Sequence, residues 1–266
     1  MGLSVANPWI LLALGWFLMA LIMAALWAYQ KRTHNAGFVD VCWACSVGVL
    51  AVVFAALADG NPARRLLIAI CAGIWGLRLG GYLLRRVRNE AEDGRYQALR
   101  RQWGERTHAL MFDFFQVQAF WAVLFATPML LAAGNPTPLG WLDAVAVAIW
   151  AAAFGGEALA DRQLARFRAR PDSRGREGLW RYSRHPNYFF EWVHWWAYVA
   201  FALGGPWGWL TLIWPGLMLW FLLKVTGMPP TEANAIASRG DAYRAYQRTT
   251  NAFFPGPPRP DPEAPA

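Results

Sequence analysis

Seven long runs of apolar residues constrain this chain more than any other feature. Pro8 to Tyr29 is 22 residues without a charge, which at about 1.5 Å per residue crosses a hydrocarbon core of about 30 Å. Further runs follow at Phe38 to Leu57, Leu66 to Leu84, Ala109 to Ala133, Leu139 to Leu159, Tyr188 to Leu203 and Trp207 to Leu223. The first is too long for the apolar part of a signal peptide and lacks a basic start, so it reads as a first membrane span. The expectation is an all-α polytopic membrane protein of seven transmembrane helices. Composition agrees: 56% of residues are hydrophobic and 16% charged, against roughly 25% charged in soluble domains.

The basic residues orient the bundle. Of 25 Lys and Arg, 22 fall in alternate connections: Lys31 and Arg32, Arg85 to Arg106, Arg162 to Arg184, and Lys224 to Arg259. The opposite loops hold only Arg64 and Arg65, and Arg78 lies inside the third run. The positive-inside rule then places the N-terminus outside and the C-terminus in the cytosol. A net charge of +8 would suit nucleic acid only as one soluble stripe, and clustering between apolar runs excludes that partner. Cys42 and Cys45 have redox or zinc spacing, but no second pair or histidine cluster completes a site, so they read as packing residues and no metal is expected. Residues 1–255 read as one membrane domain, and the Pro-rich end, 256–266, as disordered.

Polar residues in the apolar half mark where chemistry belongs. In Gly178-Leu-Trp-Arg-Tyr-Ser-Arg-His-Pro-Asn-Tyr-Phe-Phe-Glu-Trp192, Tyr182, Arg184, His185, Asn187 and Glu191 fall where membrane meets cytosol. Pro186 marks a helix start, and Asn187 and Glu191, four apart, share one face. Such groups should look into the bundle, because an uncompensated polar group in hydrocarbon is costly. A polar cap would explain Arg184 by snorkelling but not the deeper Glu191. The arginines from Arg162 to Arg176 suit phosphate, or serve only to orient the chain at an anionic leaflet. Tyr243, Tyr246, Arg244 and Arg248 give one helix a tyrosine edge beside an arginine edge, and Glu232 precedes it. Arg78, in Trp75-Gly-Leu-Arg-Leu-Gly-Gly-Tyr82, should meet an anion: Glu191, Asp40 or a ligand phosphate. Asp40 favours a helix start or is the acid of a site. Glu92-Asp-Gly-Arg-Tyr96 reads as an ion-pair cluster in a loop.

Taken together these residues resemble the steroid 5α-reductase superfamily, in its bacterial seven-span branch, most specifically over 161–255. Leu179-Trp-Arg-Tyr-Ser-Arg-His-Pro-Asn187-Tyr-Phe-Phe-Glu191 is similar to the family's Leu-Phe-x-Tyr-x-x-x-Pro-Asn-x-x-Gly-Glu, and Tyr243-x-x-Tyr-Gln-x-x-Thr-x-Ala-Phe-x-Pro255 to its C-terminal block. The resemblance implies an NADPH-dependent oxidoreductase of steroid or lipid metabolism that moves a hydride to the C=C bond of an α,β-unsaturated ketone, typically a 3-oxo-4-ene steroid.

By position it implies that Asn187 and Glu191 hold the nicotinamide carboxamide. Asp161, Arg166, Arg168, Arg170 and Arg174 would meet the adenosine and phosphates. Tyr246 would line the cofactor cleft, with Tyr182, His185, Glu232 and Tyr243 beside it, and Arg78 would be the family arginine of the third span. Asp40 would polarise the ketone, protonated by burial in an apolar cavity. Trp75 stands where steroid reductases carry a tyrosine donor, and Phe190 where the family has glycine.

The implied setting is a monomer in a bacterial inner membrane, taking a small hydrophobic enone from the bilayer. Arg-His-Pro-x-Tyr followed by a Tyr-x-x-Tyr helix also resembles membrane methyltransferases that use S-adenosylmethionine on isoprenylcysteine or phospholipid. A non-enzymatic lipid-binding protein would explain the Trp-rich spans but not the inward polar set.

Overall fold

A computed structural model describes residues 7–169 and 177–261. Among these residues every regular element is helical and there is no strand. The α-helices are α1 Pro8–Thr33, α2 Phe38–Leu57, α3 Pro62–Asn89, α4 Gly94–Trp103, α5 Thr107–Ala133, α6 Trp141–Arg168, α7 Pro186–Ala202, α8 Ile213–Trp220, α9 Met228–Arg239 and α10 Asp241–Thr249.

Among the described residues six stretches are long and apolar enough to cross a membrane: α1, α2, α3, Gly94–Ala133 (which contains α4 and α5), α6, and Gly208–Arg239 (which contains α8 and α9). That marks an integral multi-pass membrane protein. The run expected as the sixth span is α7, a helix of 17 residues. The seventh run is broken into a 3₁₀ turn at Gly208–Leu212, α8, and a π-helical turn at Phe221–Val225.

The chain divides into two compact units, 1–144 with 198–211, and 145–197 with 212–266. In the first, α2 and α3 approach until their backbones touch. A side-chain carbon on Gly48 would lie 3.0 Å from the Cα of Gly76, and one on Gly76 2.9 Å from the Cα of Gly48. Ile68, Ala72, Gly76 and Gly80 bury one stripe of α3, and Ala44, Gly48, Ala51 and Ala55 one stripe of α2. With lipid as apolar as any side chain, such close contact replaces the hydrophobic effect as the force between helices. Helix α1 buries Leu11, Gly15, Met19 and Met23 on one face and exposes Leu14, Trp16, Phe17, Leu18 and Leu21, as a lipid-facing surface requires.

The two arginines of the basic-poor loops are internal. Arg64, 3% exposed, pairs with Asp143 through Nε at 2.6 Å and Nη2 at 2.9 Å and donates to the carbonyls of Asn135 and Thr137. Arg65 donates to the carbonyls of Ala55 and Ala56, closing the C-terminal end of α2. Neither offers a free charge to that side of the membrane, so the asymmetry of exposed positive charge is sharper than a residue count shows.

Candidate functional site

The candidate residues fall into one group in each unit. In the second unit the group is organised by the segment that leads into α7. Arg184 donates through Nε to Glu232 Oε1 at 2.7 Å and through Nη1 to the carbonyls of Gln247 and Thr250, capping the C-terminus of α10. The amide of Arg184 bonds the carbonyl of Asn251 at 2.8 Å, and the Ser183 hydroxyl that of Phe253. His185, 2% exposed, lies 3.1 Å from Glu232 through Nε2 and stacks on Tyr188. Gln247 adds a third donor to Glu232. Arg184 therefore does not snorkel to headgroups: it closes a buried network that fastens α9 and α10 to the mouth of α7.

Tyr246 belongs to the same fastening. Its hydroxyl donates to the carbonyls of Trp180 and Ser183, and Tyr243 is buried 5.8 Å from it, ring to ring. Tyr182 is exposed, and its carbonyl accepts the amide of Gly256. The Pro-rich end, expected to be disordered from residue 256, is described as far as Asp261 and bonded in place. Arg259 donates from its amide to Thr249 and from Nη2 to Asn251, and Arg248 pairs with Asp261.

Asn187 and Glu191 lie in the first two turns of α7. Asn187 Oδ1 is buried and has no hydrogen-bond partner among the described residues. Glu191, 9% exposed, accepts from Trp195 Nε1 at 3.1 Å, one turn further in. On another face of α7, Phe189 and Trp192 pack with Phe253 and Phe254, with ring centroids 5.1 to 6.3 Å apart. Phe190, the residue in the glycine position of the signature, has a complement. A side-chain carbon on Gly156 of α6 would come within 2.4 Å of its ring, so the missing glycine of α7 is matched by one on α6. On α6 Asp161 is half-buried, Arg166 and Arg168 are exposed in the last turn, and Arg170 and Arg174 lie outside the described residues.

In the first unit the group surrounds Asp40. Its Oδ1 accepts from the hydroxyl of Tyr96 at 2.7 Å and its Oδ2 from Arg95 Nη2 at 2.9 Å. Asp40 is therefore bonded to an arginine and a tyrosine, where the sequence reading expected an apolar cavity. Around this pair the loop reads as the sequence suggests. Asp93 accepts from Arg86 and Arg95, and Glu92 from Arg100 and the amide of Ala36. Burial works to raise the Asp93 carboxyl, but Arg95 and then Arg86 outweigh it and hold it below its ordinary value. Trp75 is fully buried on α3, with Arg78 half-buried one turn on.

Residues 26–250 match a family described as protein of unknown function, DUF1295. The chain belongs to the DUF1295 family. It is also 28% identical to an uncharacterized protein of Schizosaccharomyces pombe, over 94% of this chain and 80% of that one. No solved structure matches it. The DUF1295 match runs from the last third of α1 to the close of α10, and so takes in Asp40, Asn187, Glu191, Glu232 and Tyr246.

Some members of these groups were not singled out from the sequence. Trp195 has a legible signal, four residues after Glu191 on one helix face. Ser183, Gln247 and Gly156 have none, because their partners are 15 to 70 residues away. Tyr96 is visible as a polar residue, but not as the buried partner of Asp40.

Proposed function

We propose that this chain is a seven-span membrane reductase, N-terminus outside and C-terminus cytosolic, that uses NADPH to reduce the C=C bond of an α,β-unsaturated ketone of steroid-like shape. The observation that carries the reading is the Asn187 carboxamide: its oxygen is buried without a partner among the described residues, one turn before the buried carboxylate of Glu191. An unmet buried acceptor costs about 1–3 kcal/mol, and an amide N–H₂ such as that of nicotinamide is the donor that would satisfy it. The motif from Leu179 to Glu191 and the block ending at Pro255, both similar to those of steroid 5α-reductases, support the same assignment.

The residues present fit NADPH. Asn187 would accept from the carboxamide, with Glu191 one turn further along α7, and the exposed Arg166 and Arg168 would meet phosphate oxygens with forked donors. When bound, the dinucleotide supplies the hydride. The chain supplies position: Asn187 and Glu191 share one face of α7. Arg184, His185, Glu232 and Tyr246 hold the mouth of α7 rigid. Asp40 is assigned to anchoring, through Arg95 and Tyr96, and not to proton donation.

The test is thermal unfolding of the purified chain with NADPH or S-adenosylmethionine, followed by NADPH consumption with a 3-oxo-4-ene steroid. NADPH alone should raise the midpoint, by about 4 °C near a hundredfold excess over its dissociation constant. Asn187→Ala and Glu191→Gln should abolish both the rise and the consumption while still unfolding cooperatively. Protection by S-adenosylmethionine instead would replace the reductase reading with the methyltransferase one.

A further inference from the structure

Apart from Arg85 and Arg88, which are exposed at the end of α3, the basic residues on the arginine-rich side of the first unit separate into two kinds. Arg86, Arg95 and Arg100 are bound to Asp93, Asp40 and Glu92. Lys31, Arg32, Arg101 and Arg106 are exposed and have no ion pair among the described residues. All four lie where α1 ends and α5 begins. That corner is fixed by Trp27, whose Nε1 donates to the carbonyl of His108 at 2.8 Å and whose ring lies under Lys31 Nζ at 4.6 Å. The helix α4 leads into it with its inner side held by the Tyr96 and Arg100 contacts to Asp40, Glu92 and Gln30. Arg101 and Arg106 are left on the outside. Glu105 is the exposed acid beside them, so the corner keeps a surplus of positive charge.

We propose that this corner binds the phosphodiester headgroup of an anionic phospholipid of the surrounding bilayer. Its position argues for a lipid over a soluble anion. The cations lie in the last turn of α1 and just before α5, and the amphipathic Trp27 beneath Lys31 is the residue type that settles at headgroup depth. A phosphate there would meet guanidinium forks from α4 and the turn before α5, together with the Lys31 ammonium from α1. A lipid so held would add to the hydrogen bond from Trp27 to His108 and the edge contact of Trp27 with Phe112 that already join α1 to α5.

The test compares thermal unfolding of the full chain in detergent with added phosphatidylglycerol, with phosphatidylcholine, and with inorganic phosphate. Phosphatidylglycerol should raise the midpoint by about 4 °C at saturating amounts, and the other two by much less. Lys31→Gln combined with Arg106→Gln should remove most of that rise. Arg85→Gln with Arg88→Gln, which deletes equal charge from the exposed end of α3, should keep it. Equal loss in both variants would reduce the effect to general charge attraction and overturn the site. Equal protection by inorganic phosphate would overturn the lipid assignment. Neither result depends on NADPH binding, so this corner and the reductase reading fail separately.

Discussion

At the scale of single residues, function is decided by which polar groups are already satisfied. Asp40 is held by Tyr96 and Arg95, with about 28% of its side chain exposed, so it behaves as an anchor. Asp40→Asn should lower stability by about 1 kcal/mol, a half-exposed ion pair weakened by solvent screening. Asp40→Ala should lower it by about 2–3 kcal/mol, because the buried Tyr96 hydroxyl is then unpaired. Turnover per folded molecule in the asparagine variant should stay within a few-fold of the parent, read from NADPH consumption normalised to folded protein. A loss of about a hundredfold or more at unchanged stability, the size expected for a general acid, would return Asp40 to the chemistry. The contrast with Asn187 is physical. One polar side chain has its partners inside the protein, and the other has an acceptor still to be met.

At the scale of elements, the fold depends on where backbone and ring come close. Gly156 and Phe190 form one such contact between α6 and α7. Gly156→Ala places a carbon where the Phe190 ring already is, and overpacking of this kind costs about 1–3 kcal/mol. The double variant with Phe190→Gly, which puts glycine where the reductase signature has it, should recover part of that loss. Thermal unfolding of the two single variants and the double variant checks this, and strict additivity would show that the two positions are not coupled. The same logic explains why α7 begins where it does. Pro186 fits the first helical position, while Arg184 and His185, just outside the helix, are free to bind Glu232 and the end of α10.

At the scale of the whole molecule, topology follows from exposed charge. Because Arg64 and Arg65 are satisfied internally, the loops at 58–61 and 134–140 present no free basic side chain, and the positive-inside rule acts on the remaining clusters alone. In a background with Cys42, Cys45 and Cys71 replaced by alanine, Asp59→Cys and Trp207→Cys should react with a membrane-impermeant maleimide added outside intact cells. Arg101→Cys and Arg244→Cys should react only after the membrane is opened. Labelling of Trp207→Cys from the cytosolic side would mean that α7, 17 residues long, does not cross.

The sequence by itself determined the helical class, the positions of the apolar runs and the residues worth watching, because hydropathy and charge are local properties that need no partner to be read. The α2 boundaries, Phe38 and Leu57, are the same in the sequence reading and the structure. The loop at Glu92 to Tyr96 was likewise legible as a salt-bridge cluster from its neighbouring opposite charges. Only the tertiary structure decided which of those polar residues are anchors. Arg184, Glu232 and Tyr246 are joined across 48 to 66 residues of chain, and Asp40 meets Tyr96 across 56. A carboxylate looks the same in sequence whether a guanidinium stands beside it or nothing does, and its chemistry depends on that neighbour.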